Sequence, residues 1–225
     1  ALGALKEFLQ RIKSYSIQGV SHKVRGLRCD RGGEYTSKLF RSYAEQQGVR
    51  VTFTGSHSSA QHGRAERVWR TLDGSTRCIL EDSGMPEELW GEAYQASTYI
   101  MNRVPHAGLS KERRQPMTPH RALFGYDDDL SHLRRLGCLA WAQVYNEHRS
   151  KLESTAWRGI LVGFDPDSSK GYRILDLENR RVATTRSVTF DESVMPFKLL
   201  ALGMLLPTPV VGDAAVWQGL HPEGG

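Results

Sequence analysis

The sequence predicts an α/β chain in two parts: a mixed helix-and-strand region followed by a small antiparallel β-barrel. Three observations carry that prediction. Up to about residue 103, apolar residues recur at helical spacing and are interrupted by short alternating runs. Between 104 and 135, Pro105, Pro116, Pro119 and the acid triplet Asp127-Asp128-Asp129 break the pattern. From Leu136 onward the periodicity is that of short strands separated by turn residues.

The elements follow in order. Leu2, Leu5, Phe8, Leu9 and Ile12 make one face of an opening helix, and a strand is expected near Val24 to Cys29. Thr36 or Ser37 can cap a second helix with Leu39, Phe40, Tyr43 and Ala44 on one face, ending at Gly48. Val49, Val51 and Phe53 alternate as a half-buried strand, and Gly55 to Ala60 reads as a polar loop. The next helix carries Ala65, Val68, Trp69, Leu72, Ile79 and Leu80 on its apolar face. Its other face carries Glu66, Arg70, Asp73 and Arg77. After Gly84-Met85-Pro86 a further helix offers Leu89, Trp90, Ala93, Tyr94 and Ile100 to a core. The stretch 104–135 holds one short helix near Pro119 to Phe124. Strands are expected at Leu136 to Tyr145, Gly159 to Phe164, Gly171 to Leu175 and Arg181 to Phe190, with turns at Asp165-Pro166-Asp167 and Glu178-Asn179. The resulting division is 1–126, a linker at 127–135, the β-domain at 136–192 and a poorly ordered tail at 193–225. Core packing is the expectation for Trp69, Trp90, Trp141 and Trp157.

Composition narrows the function classes. A formal charge of +5 and a pI near 9.2 suit a polyanionic partner. Cys29, Cys78 and Cys138 are too few and too scattered for a disulfide framework or a zinc site. The longest apolar stretch, Leu199 to Val211, is broken by Pro207 and Pro209 and is too short to span a bilayer. No membrane partner is expected and no signal peptide is visible.

Two acids stand in contexts that suit phosphoryl chemistry. Asp30 ends an apolar-alternating run in Val24-Arg25-Gly26-Leu27-Arg28-Cys29-Asp30-Arg31-Gly32-Gly33-Glu34, where the glycine pair would let the backbone turn sharply. Glu66 lies in the helix opening Gln61-His62-Gly63-Arg64-Ala65-Glu66-Arg67-Val68-Trp69-Arg70, 35 residues further on. Carboxylates from different elements can hold a metal pair over a phosphodiester, and hard oxygen donors suit Mg²⁺ or Mn²⁺. Arg64, Arg67 and Arg70, with His62, are candidate contacts to nucleic-acid phosphates. A solvated helix with a Glu66–Arg70 pair is the competing expectation.

These motifs resemble the catalytic core of Copia-type (Pseudoviridae-like) retrotransposon integrases. The resemblance continues through Leu89-Trp90-Gly91-Glu92-Ala93, Tyr99-Ile100-Met101-Asn102-Arg103, Leu136-Gly137-Cys138, Ser150-Lys151-Leu152, Gly159-Ile160-Leu161-Val162-Gly163 and Ser169-Lys170-Gly171-Tyr172-Arg173, over residues 1–192. It implies a partial RNase H-like integrase core followed by a small SH3-like β-barrel. It also implies metal-dependent DNA 3′-processing and strand transfer, with Asp30 and Glu66 as catalytic metal ligands. The implied partners are element-end and chromosomal target DNA, with a homo-oligomer formed by the full-length parent and a nuclear location.

The family uses three acids, the first on an opening strand. Residues 1–29 carry only Glu7, which does not match that motif. The expectation is therefore an integrase segment inactive alone, and the alternative is a non-catalytic nucleic-acid-binding relic or domesticated module. Arg31 stands where the family has Asn, and His62 likewise.

Overall fold

The computed structural model describes residues 1–14, 16–17, 20–21, 23–53, 59–143, 156–168 and 170–206. Its contacts divide the chain into two compact units, each made from two separate stretches. Residues 1–71 and 105–127 form the first, and 72–104 and 128–225 the second.

In the first unit, α1 (Leu2–Ser14) opens the chain and is followed by the paired two-residue strands β1 (Ser16–Ile17) and β2 (Val20–Ser21). Next come β3 (Gly26–Cys29), α2 (Gly33–Thr36), α3 (Lys38–Gln46) and β4 (Arg50–Phe53). β3 and β4 run parallel, with Leu27 beside Val51 and Cys29 beside Phe53. As the capping pattern predicts, the Ser37 hydroxyl accepts from the Phe40 backbone N–H at 3.3 Å. The helix ends before Gly48, whose φ of 69° is the left-handed turn-off glycine supplies most cheaply. Leu5 and Leu9 from α1 pack with Phe40, Ala44 and Val49 in a small core. The stretch 105–127 adds α6 (Ala107–Arg113) and α7 (Pro119–Phe124). Thr118 caps α7 by accepting from the Arg121 N–H at 2.9 Å.

Helix α4 (Ser59–Ser83) begins in the first stretch and ends in the second unit. Its start absorbs the end of the expected 55–60 loop; residues 55–58 of that loop lie outside the described residues. After a 3-10 turn at Glu87–Leu89 comes α5 (Trp90–Met101).

The rest of the second unit is a five-stranded antiparallel sheet. It comprises β5 (Leu139–Gln143), β6 (Ala156–Phe164), β7 (Tyr172–Asp176), β8 (Val182–Thr185) and β9 (Val188–Asp191). The single strand expected at Arg181 to Phe190 is in fact two, split at Arg186-Ser187. The strand order is β8-β7-β6-β5-β9, so β8 and β9 occupy opposite edges yet are joined by two residues. Four strand spacings in a flat sheet would cover about 19 Å. Three residue steps reach only about 11 Å. The sheet must therefore curl, which is why the chain forms a barrel-like module of SH3-like type. Cys138, Ala140, Leu161, Val162 and Ile174 are fully buried within its core, joined by Ala96 and Tyr99 from α5.

The structure corrects several expectations. Ala65, Val68 and Trp69 are exposed rather than buried, Trp69 at 60%. Trp90 is likewise 62% exposed, at the first residue of α5. The expected linker at 127–135 is anchored: His132 is buried and Leu133 packs against the sheet core. Residues 193–206 of the expected tail include α8 (Pro196–Ala201), with Met195 and Pro196 buried. Residues 207–225 lie outside the described residues, as does the Ser150-Lys151-Leu152 motif.

Candidate nucleic-acid and metal site

Asp30 follows directly on the C-terminal end of β3, where the parallel pairing fixes the chain direction. Its side chain is exposed, and Oδ1 accepts from the Gly32 N–H at 3.0 Å, closing an Asx turn that orients the carboxylate. Neither glycine of the pair has positive φ, so a sharp turn is not what they provide; Gly32 sits at φ −54° and ψ 143°. What glycine supplies at 32 is space: a Cβ there would stand 3.1 Å from Asp30 Oδ1 and 3.4 Å from the Tyr35 ring. At Gly33 a Cβ would meet nothing within 4 Å. Arg31 is exposed, while Cys29 beneath is buried, its thiol pKa raised by burial and then by the Asp30 charge.

Glu66 is exposed on α4, as are Arg67 and Arg70. No ion pair joins Glu66 to Arg70 among the described residues, so the expected i, i+4 pairing does not occupy either group. Arg77 turns back to donate from Nε to the Asp73 carbonyl at 3.3 Å. The side chains of His62 and Arg64 lie outside the described residues.

The donors fit a hard divalent cation in kind, because both are carboxylates open to solvent. They do not fit a metal pair in number. Among the described residues no three His, Cys, Asp or Glu side chains gather to hold an ion. Two-metal chemistry asks for more ligands than Asp30 and Glu66 supply.

Comparison with known proteins decides the family. The retroviral polymerase SH3-like domain family matches residues 138–200, the curled sheet and α8. The retrovirus-related Pol polyprotein from transposon TNT 1-94 of Nicotiana tabacum is 34% identical over 187 residues, 83% of this chain. The chain belongs to the Copia-type retrotransposon Pol polyproteins. The Pol polyprotein from transposon RE2 of Arabidopsis thaliana is 28% identical over 195 residues, 86% of the chain. This Pol segment spans 14% and 13% of the length of those two relatives. A cryo-EM structure of the simian T-cell lymphotropic virus intasome, in complex with a PP2A regulatory subunit, covers 87% of the segment and 64% of its own chain. It does so at 12% identity and a TM-score of 0.41, below the level at which a shared fold follows.

The motifs downstream of Glu66 that mark the Pol family are pieces of the second unit's scaffold. Glu92 of the Leu-Trp-Gly-Glu-Ala run and Arg173 of the Gly-Tyr-Arg run are ion-pair partners, joined by two bonds of 2.6 Å. Tyr99 shares a 2.8 Å hydrogen bond with His132 Nε2, and the Arg103 guanidinium stacks 3.4 Å over the Tyr99 ring. Arg103 also bonds Asp128 at 2.6 Å, with both side chains nearly buried. Arg135 clasps Asp82 through Nε and Nη2 at 3.1 and 2.8 Å. No local rule pairs these runs, because, apart from the Arg103–Tyr99 stack, their contacts join residues 25 to 81 positions apart.

Proposed function

We propose that this Pol segment is the part of a DNA-integrating enzyme that supplies Asp30 and Glu66. These two would belong to the carboxylate set holding Mg²⁺ or Mn²⁺ at a DNA phosphodiester during 3′-processing and strand transfer in the nucleus. The observation that carries this reading is the Asp30 carboxylate, held by the Gly32 N–H at the C-terminal end of a parallel strand. That is the end of an α/β sheet at which ligands are bound. Arg67 and Arg70, exposed beside Glu66, can meet DNA phosphates without reading sequence. The remaining acid would come from polypeptide outside these 225 residues, and the parent would act as a homo-oligomer on element ends and target DNA.

A strand-transfer assay in Mg²⁺ and Mn²⁺ tests the reading on three chains. They are the 225 residues alone, the same residues extended upstream through a strand bearing an acid, and the extended chain with Glu66→Gln. Activity is expected in the second alone. Activity in all three, or in none while DNA is still bound, removes Glu66 from the chemistry.

A second reading is a non-catalytic DNA-binding module, favoured by Arg67 and Arg70 standing exposed on α4, where phosphate contact needs no metal. Both readings expect binding to duplex DNA that weakens with salt, at a log–log slope of about −0.9 per phosphate neutralised. Strand transfer by the extended chain separates them.

A further inference from the structure

We infer that the excursion carrying α6, residues 106–117, is a second docking surface for the phosphates of double-stranded DNA, met by Lys111, Arg113 and Arg114. The inference deepens the proposed function, resting on its reading of DNA as the partner, and uses none of the side chains named there. All the residues concerned lie in one stretch of the first unit.

The excursion leaves and returns at one neck. The His106 N–H donates to the Met117 carbonyl at 2.9 Å, and the Met117 N–H donates to the Ser110 hydroxyl at 3.0 Å. The Gln115 N–H donates to the Ser110 carbonyl at 3.2 Å, closing the turn after α6. Met117 is buried, so the neck is seated, whereas every residue from Lys111 to Pro116 is exposed. The tip thus carries three cations in four residues, on a backbone fixed by its own hydrogen bonds. Little backbone freedom is left to lose when a partner docks. Among the described residues none of the three cations has an ion pair, whereas Arg121 of α7 is matched with Asp127 at 3.2 Å.

Arg114 supplies a second, independent observation. It caps α6 in the left-handed region, at φ 56° and ψ 26°, a conformation unfavourable for any residue with a Cβ. α7 ends with the same kind of cap at Gly125, φ 86°, where glycine bears no such strain. Cations in a last turn complement the helix dipole, and that accounts for Lys111 and Arg113. It does not account for an arginine at the cap itself, where glycine would hold the turn with less strain. Backbone strain kept at an exposed cation points to what its side chain meets. A row of phosphates fits by charge: a guanidinium forks onto phosphate oxygens, and an ammonium meets them as a point charge. Such contacts position the duplex without reading its sequence.

The test is fluorescence anisotropy of the 225-residue chain on a mixed-sequence DNA duplex over a salt series. Lys111→Gln, Arg113→Gln and Arg114→Asn together should make the log–log slope shallower by about 2.7, which is 0.9 for each of three phosphates. Asparagine is chosen at 114 because it tolerates the left-handed cap. In the parent chain, bound duplex should cut acetylation of Lys111 by an amine-reactive reagent at least about threefold. That measurement needs no variant, so it stands if the triple variant does not fold. A triple variant with the parent slope, or Lys111 acetylated equally with and without bound duplex, overturns the inference. A folded parent that binds no duplex at low salt removes this surface together with the DNA reading. Strand transfer failing in the extended chain, with slope and acetylation as expected, sinks only the catalytic reading.

Discussion

The parallel pair β3–β4 and the five-stranded antiparallel sheet solve the same problem with unequal means. The parallel pair has two four-residue strands and a core of Leu5, Leu9, Phe40, Ala44 and Val49. Arg28, Arg50 and Thr52 stand exposed along it, although parallel sheets are usually covered on both faces. The antiparallel sheet curls on itself and buries Leu139, Ile160, Leu161, Val162 and Ile174 completely. The candidate chemistry sits in the first region and most of the packing in the second. Residues that bind and react must stay open to solvent, so the weaker core accompanies the site.

Core truncation tests that difference most strongly. Phe40→Ala should cost about 3–5 kcal/mol and Leu161→Ala about 2–5 kcal/mol. Followed by amide exchange, Phe40→Ala should release residues 1–53 while leaving β5–β9 protected. Equal loss of protection in both regions would show that they unfold as one.

The buried cysteines offer a second probe. Cys29 lies under the Asp30 turn and Cys138 in the sheet core, where burial pushes its thiol pKa up to about 12. Alkylation at pH 8 should modify the exposed Cys78 first. Cys29 should follow at the opening rate of the small core, with Cys138 at least about tenfold slower still. Equal rates for the two buried thiols would remove the contrast.

A finer test compares adjacent glycines. Gly32→Ala presses on the Asp30 carboxylate and should weaken Mn²⁺ binding by the extended chain about threefold, following the rule that small shifts in orienting groups loosen metal sites. Gly33→Ala meets open space and should leave binding unchanged.

The smallest expected effect is a pH dependence at Asp82. Its hydrogen bond and charge interaction with Arg135 hold the carboxyl below its ordinary range. A carboxyl lowered in the folded state stabilises above its unfolded pKa, and that contribution is lost as pH falls through the lowered folded value. The Arg135→Ala chain should therefore lose less thermal stability than the parent between pH 5 and pH 3. Both side chains are about half exposed, so the difference will be modest. Parallel losses in the two chains would mean that the clasp contributes nothing measurable.

Much of this was legible because local rules decide it. Ser37 at a helix start and Gly48 at a helix end are read from capping chemistry alone. The turn at Glu178-Asn179 is read the same way, and Asp176 accepts from both of their backbone N–H groups. Asp30 and Glu66 fell on the strand end and helix that their flanking residues indicated. What was not legible depends on what covers a surface. Ala65, Val68 and Trp69 form an apolar stripe by spacing, but spacing does not say whether the stripe is buried. His132 and Leu133 look like linker residues until Tyr99 and Tyr172, far away in sequence, hold that stretch down. Gly137 carries no mark in the sequence of its close approach to Ser83.

The interleaving of the two units bears on the order in which a growing chain can fold. A ribosome delivers 1–71 first, then 72–104, then 105–127, so the first unit cannot close until the opening of the second has already emerged. During that interval Leu72, Ala96, Tyr99 and their neighbours wait without the strands that will bury them. Contacts between residues far apart in sequence form slowly, and apolar surface left open meanwhile invites association. Truncated nascent chains ending near residue 130 should therefore be the aggregation-prone species, and protection of α5 should appear only after Asp191 has left the exit tunnel.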